Sequence, residues 1–330
     1  MKTLITGASG FVGSAVLRKL IDAGHDVRAL VRPNSDRSNL AGLAVELFEG
    51  DLGDPDSLKH AVAGCDRLFH VAADYRLWIP NPDYMYNINV VGTGNLLRFA
   101  AEAGVEKIVY TSSVAALGLM PDGSPANEDT PVNPDKIIGH YKRSKYLAEQ
   151  AVLKLVTDEK IPVTIVNPST PVGPRDIKPT PTGRIIVDTL NRRMPAYVDT
   201  GLNLVHVDDV ATGHLLACDK GMFGERYILG GEDMTLKHIL EEICAIANLT
   251  PPKIRIPHNA LLPIAWLAER WARISGHEPM ATVDGVRMAK KKMYFSSDKA
   301  RKLLGYHARP AREGLADAIQ WFRENGYCDS

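Results

Sequence analysis

Residues 2–31 read KTLITGASGFVGSAVLRKLIDAGHDVRALV. Lys2–Thr6 is a run of β-formers and predicts a short strand. Ser14–Ala23 carries apolar residues at helical spacing, Gly24-His25-Asp26 ends that helix, and Val27–Val31 is the next strand. Between the first strand and the helix stands Gly7-x-x-Gly10-x-x-Gly13. The segment is therefore a βαβ unit with a glycine turn at its crossover. Each glycine has a physical job. The first permits a tight turn, the second lets backbone approach a pyrophosphate, and the third lets helix and strand pack closely. The helix N-terminus adds free N–H groups and partial positive charge. A glycine trio placed between strand and helix predicts a dinucleotide site.

Strand and helix continue to alternate. Val45–Phe48, Arg67–Ala73, Lys107–Ser113 and Val163–Asn167 read as further strands, with helices at Pro55–Ala63 and roughly Lys136–Lys154. The expected fold is α/β, a doubly wound parallel sheet with its site at the carboxyl ends of the strands. The chain has 330 residues, 45% of them hydrophobic, and a formal net charge of zero. That balance gives no bulk electrostatic reason to bind nucleic acid. Cys65, Cys218, Cys244 and Cys328 are scattered without metal spacing, so no metal is expected and a reducing, cytoplasmic setting is. The apolar run near Ala260–Ala268 is broken by Pro263 and too short to span a bilayer. Met1-Lys2 leads straight into a strand, which leaves no room for a secretory leader.

The end of the second strand bears on cofactor choice. An acid there would bind a ribose 2′-hydroxyl. The position is Arg32, with Arg37 close behind, and a cation suits a 2′-phosphate. NADP is therefore expected, with NAD as the alternative. Asp51, in Gly50-Asp51-Leu52, suits the adenine amine; Asp54 is the better N-cap for the following helix. The small residues at the end of Val71-Ala72-Ala73 let a ring lie close.

Tyr141 and Lys145 are four apart, which puts them on one face of a helix. Ser112 and Ser113 close the fifth strand. In a doubly wound sheet both places face the crevice. A free tyrosine has a pKa of about 10, and bringing it near 7 requires about 4 kcal/mol of phenolate stabilisation. A neighbouring ammonium and an oxidised nicotinamide can contribute.

TGASGFVG, GDL, HVAA, NVVGT, YTSS, YKRSK, NPSTPVGP and HVDDVA occur in this order. In this the chain resembles the extended short-chain dehydrogenase/reductases, the NAD-dependent epimerase/dehydratase family, over essentially its whole length. The resemblance implies a Rossmann domain over 1–170 and about 208–235, and a smaller, mostly helical substrate domain over about 171–207 and 236–330. It implies Ser113, Tyr141 and Lys145 as the catalytic triad. Cofactor contacts would come from Gly7, Ser9, Gly10, Phe11, Val12, Gly13, Arg32, Arg37, Asp51, Leu52, Val71, Ala72, Ala73, Tyr141, Lys145, Pro168 and Thr170. Asn89 and His206 are expected to be structural. Family habit suggests a homodimer through two long helices.

Substrate signals divide. Nucleotide-sugar enzymes of the family usually carry an arginine where Leu202 stands, four residues before His206. Val31-Arg32 resembles dihydroflavonol reductases and steroid dehydrogenases, which handle carbonyls on larger, less polar small molecules. ADYRLW (73–78), NPSTPVGPRDIKPTPTGRIIVD (167–188) and PAYVDTGLNLVHVDDVA (195–211) resemble the hopanoid-associated sugar epimerase group. Tyr75, Trp78 and Tyr197 are candidate pocket residues, and Pro171–Gly183 a pocket wall or lid. Asn259–Ser275, with Trp266 and Trp271, reads as an amphipathic helix packed on the core rather than on a membrane. An NADP-dependent reductase, a sugar epimerase or dehydratase with retained cofactor, and a non-catalytic cofactor sensor are the competing functions.

Overall fold

β1 (Lys2–Thr6) passes through the glycine turn into α1 (Phe11–Asp22) and on to β2 (Asp26–Val31). The two strands run parallel, with Thr3 opposite Val27 and Ile5 opposite Ala29. The helix begins three residues earlier than its periodicity suggests. Gly10 is extended and its carbonyl already accepts the Ser14 N–H at 2.9 Å. These features come from a computed structural model that describes residues 1–330 except 77, 80, 276–278, 280–281 and 329–330, and the side chains of 273 and 274.

The alternation proceeds through β3 (Glu46–Glu49), α2 (Pro55–Val62), β4 (Arg67–His70), α3 (Asp83–Tyr86), α4 (Thr93–Glu102), β5 (Lys107–Thr111), α5 (His140–Glu159) and β6 (Val163–Pro168). It continues through β7 (Thr170–Val172), α6 (Pro181–Leu190), β8 (Ala196–Tyr197), β9 (Gly201–His206), α7 (Val207–Lys220) and β10 (Arg226–Leu229). Seven parallel strands form one sheet in the order β10-β6-β5-β4-β1-β2-β3. The winding reverses between β1 and β4, so a crevice opens at their carboxyl ends. One face of the sheet buries Val16, Leu20, Val210 and Ala211 of α1 and α7. The other buries Leu58, Leu96, Leu97, Ala148 and Val152 of α2, α4 and α5. This is the doubly wound α/β fold expected from the sequence.

Two helices depart from their expected form. α5 starts at His140, not near Lys136, because Gly139 sits at φ +84 and ends the preceding loop. A π-helical segment, Asn87–Gly92, joins α3 to α4. It brings Gly92 so close to the loop after β3 that a Cβ there would lie 2.6 Å from the Leu52 carbonyl oxygen. Such bulges re-aim side chains inside an otherwise regular helix.

The second layer is built on β9, which pairs with β7, with β11 (Glu232–Thr235) and with β13 (Lys292–Met293). Around it pack α6, α8 (Leu236–Ala247) and α12 (Ala311–Glu324), through Ile186, Ile239, Ile243, Leu315 and Phe322. β12 (Ile254–Arg255) pairs with β8. α9 (His258–Ser275) lies against α10 (Val283–Ala289). α11 (Asp298–Leu304) returns to the first layer, where Ala300, Leu304 and Tyr306 join the α1–α7 core.

The apolar face of α9 is not packed on the core. Ala265 and Ala272 are buried, while Ile264, Trp266, Leu267 and Trp271 are 50–69% exposed. Amphipathic periodicity shows that a helix has an apolar stripe, not that a second element covers it.

Candidate active site

A cavity of about 1250 Å³ runs along the carboxyl ends of the sheet and under the second layer. One end is the glycine turn. Gly7 sits at φ +75, and a Cβ on it would lie 2.7 Å from the Ala72 nitrogen at the end of β4. A Cβ on Gly13 would fall 2.0 Å from the Gly7 carbonyl oxygen, so helix and turn touch here. Gly10 is looser, with only that same oxygen at 3.3 Å. Ser9, Gly10, Phe11, Val12 and Gly13 line the cavity, and no side chain caps α1. Uncapped N–H groups opening into a cavity, with no Cβ at the turn, form a cradle that fits a pyrophosphate.

The residues expected around the rest of a dinucleotide divide. Arg32, Asp51, Leu52, Val71, Ala72, Ala73, Pro168 and Thr170 all line the cavity. Asp51 also accepts the Gly53 N–H at 2.7 Å, and Asp54 caps α2. Arg37 is not among the described lining residues. It forms an ion pair with Glu49, which turns it along the edge strand. No carboxylate among the described residues pairs with Arg32. Asn34 and Ser35 line the cavity beside it and were not anticipated; a polar turn directly after β2 was the available signal. Ser169 was also missed. Its buried hydroxyl has no hydrogen-bond partner among the described residues, and it lines the cavity between Pro168 and Thr170.

The middle of the cavity holds Ser113, Tyr141 and Lys145. Ser113 lies just past β5, where its hydroxyl caps a single turn by accepting the Ala115 N–H at 3.1 Å. That hydroxyl lies near the Tyr141 phenol. Burial pushes the Tyr141 pKa above its usual value, the Ser113 hydroxyl draws it partly back, and Tyr75 raises it. The phenol is thus protonated through the neutral range. The lowering considered from the sequence calls on an oxidised nicotinamide as well as the Lys145 ammonium. The side chain of Lys145 donates to the Thr111 carbonyl at 2.8 Å and lies over the Tyr110 ring, 5.2 Å from its centre. Burial lowers its ammonium to about 8, against an opposing pull from Glu149.

A buried lattice holds α5 against the loop after β4. Asn89, on the π segment, accepts the Asp74 N–H at 2.7 Å and donates to the Asp74 carbonyl at 2.8 Å. It also donates to Ser144 Oγ at 3.0 Å, and Ser144 bonds the Tyr141 carbonyl. His206 is fully buried; it caps α7 and meets Asp317 at 3.0 Å.

The other end of the cavity is apolar. Val198, Leu202, Leu236, Met288, Met293 and Phe295 line it, with Tyr75 near the Tyr141 phenol. Trp78 and Tyr197 are absent from its described lining. Tyr197 ends β8, where it pairs with Arg255 of β12, while Val198, Thr200 and Leu202 beyond it line the cavity.

The model of the NAD dependent epimerase/dehydratase family matches residues 3–230. A Synechocystis protein provisionally named dihydroflavonol 4-reductase is 46% identical over 98% of this chain and 95% of its own. Sterol demethylase protein B of Methylococcus capsulatus is 37% identical, covering 99% of both chains. The crystal structure of gox2253 superposes with a TM-score of 0.90 at 57% identity, covering 99% of each chain. On fold, glycine cradle and sequence together, this chain is an enzyme belonging to the NAD dependent epimerase/dehydratase family.

Proposed function

We propose that the protein is an NADP-dependent reductase of a ketone or aldehyde on a bulky, weakly polar molecule, with Ser113, Tyr141 and Lys145 as its catalytic group. One observation carries this reading. A protonated phenol, with Ser113 beside it, stands where the glycine-lined trough meets an apolar chamber. In reduction the carbonyl carbon gains a hydride and its oxygen gains a proton. A reduced nicotinamide, when bound, supplies the hydride. Ser113 holds the carbonyl oxygen by a hydrogen bond. Tyr141, protonated at neutral pH, gives that oxygen the proton. With the cofactor bound, Lys145 would hold the nicotinamide ribose hydroxyls and favour the phenolate left behind. The apolar chamber excludes water from this exchange.

The substrate side supports a weakly polar molecule. Leu202 lines the chamber where a nucleotide-sugar enzyme would need a cation for diphosphate. The relatives' names, a sterol demethylase component and a dihydroflavonol reductase, refer to polycyclic molecules. A role in hopanoid or related isoprenoid metabolism is consistent with this chemistry. Arg32 accounts for the NADP preference, since it faces the cavity without a paired acid. The buried thiols Cys65, Cys218 and Cys244 suit the cytoplasm. Pairing of two chains would use α4 and α5, with Leu147 exposed on α5 and Val91 exposed on the π segment that leads into α4.

The test is cofactor turnover. Steady, substrate-dependent NADPH oxidation with a bulky alicyclic ketone supports net reduction. Tightly retained cofactor with no net consumption would instead mean epimerisation. Arg32→Ala should weaken NADPH binding about tenfold while leaving NADH binding nearly unchanged, because one charge-assisted contact is lost. Equal losses for both cofactors would remove Arg32 from the 2′-phosphate.

A further inference from the structure

Lys142 and Lys291 line the apolar side of the cavity, and neither meets an acid among the described residues. Lys142 follows Tyr141 on α5 and is half-buried. Its amine reaches Met293 Sδ at 3.6 Å, its one hydrogen-bond contact among the described residues. A thioether is a weak acceptor and carries no charge. Lys291, just ahead of β13, lines the same cavity from its exposed rim. No carboxylate among the described residues pairs with either amine. The acids that line the cavity are committed elsewhere. Asp36 and Asp51 lie with Arg32 at the adenosine end, and Asp74 is paired with Arg76. Asp284 of α10 is engaged by Arg287 at 3.6 Å. Burial, with a smaller contribution from Lys291, lowers the Lys142 ammonium to about 8. A desolvated ammonium facing a thioether and apolar walls is unfavourable unless something anionic joins it.

We propose that Lys142 and Lys291 form an anion subsite, and that the substrate is amphipathic. Its carbonyl lies at Ser113 and Tyr141, its body fills the chamber, and it carries a carboxylate or phosphate that the two amines hold. The proposal rests on the reductase reading for where the carbonyl sits. Binding of the anionic group does not depend on that chemistry. The subsite makes charge a selection rule, because a neutral analogue of the same shape leaves the amines unpaired.

Binding tests this directly. The full-length protein, saturated with NADP⁺, would be titrated calorimetrically with dodecanoate, dodecyl phosphate and 1-dodecanol below their aggregation limits. Both anions should bind at least tenfold more tightly than the alcohol. Whichever anion binds more tightly identifies the head group. Lys142→Met and Lys291→Met should each reduce that preference severalfold, while 1-dodecanol binds as before and so reports an intact chamber. Equal affinity for acid and alcohol in the wild type would overturn the proposal, as would a preference that survives in both variants. Failure of ketone-dependent NADPH oxidation alone would remove the reductase reading and leave the binding result standing.

Discussion

At the scale of single residues the account turns on Tyr141. Its phenol lies near Ser113, and burial keeps it protonated. Tyr141→Phe should therefore cut turnover by about 10²–10⁴-fold, the range for a lost general acid, with NADPH affinity changed little. Retained turnover would remove Tyr141 from the proton transfer. Lys142 and Lys145 make a second prediction. Each ammonium sits at about 8 in the folded protein, against 10.5 for the ordinary group. Between those values the unfolded chain binds more protons, so stability should rise with pH, by up to about 1.4 kcal/mol per unit for each amine. Urea midpoints from pH 8 to 9.5 check this; the slope should shrink in Lys145→Met, and an unchanged slope would contradict it. The positions of Ser113, Tyr141 and Lys145 were legible because strand end and helix spacing determine them. The orientation of Lys145 was not. It depends on the Thr111 carbonyl and the Tyr110 ring, tertiary neighbours more than thirty positions upstream. Lys142 escaped notice for the same reason, since Met293 and Lys291 arrive from β13, about 150 residues later.

At the scale of elements, α1 and the π segment position the site. The three glycines should respond differently to alanine. Gly13→Ala places a Cβ 2.0 Å from the Gly7 oxygen and should destabilise the fold by about 1–3 kcal/mol. Gly10→Ala meets nothing closer than 3.3 Å, so it should fold normally and lose cofactor affinity. Chemical denaturation and NADPH titration separate the two outcomes; equal stability would contradict the packing argument. Asn89→Ala removes three hydrogen bonds from the lattice between the Asp74 loop and α5, at a cost of roughly 1–3 kcal/mol. The βαβ unit was readable because a glycine turn between strand and helix is a local signal. The π segment carries no local signal of that kind. Its form follows from the close contact of Gly92 with Leu52, set by the third dimension. The α9 stripe misled for a related reason. Periodicity specified the stripe, but only α10, against which α9 packs, could show which side would be covered.

At the scale of the whole molecule, a parallel sheet opens a crevice where its winding reverses, and a second layer built on β9 closes the crevice into a chamber. The first half was expected from alternating strands and helices. A second domain over the crevice was implied by the family resemblance, but its lining was not, because Leu202 enters the lining only when β9 pairs with three strands from separate parts of the chain. Trp78 and Tyr197 stand in stretches that carry a family resemblance, and a resemblance does not say which way a side chain faces. The chamber joins a glycine cradle to apolar walls, with a phenol at the junction, and the proposed reduction of a bulky carbonyl rests on that arrangement. The most direct measurement is substrate-dependent NADPH oxidation with a bulky alicyclic ketone, run in parallel on the wild-type protein and Tyr141→Phe. Continuous oxidation by the wild type, with at least a hundredfold loss in the variant, is the result predicted. No oxidation by a wild type that binds both ketone and NADPH, or equal rates in the two proteins, would contradict it.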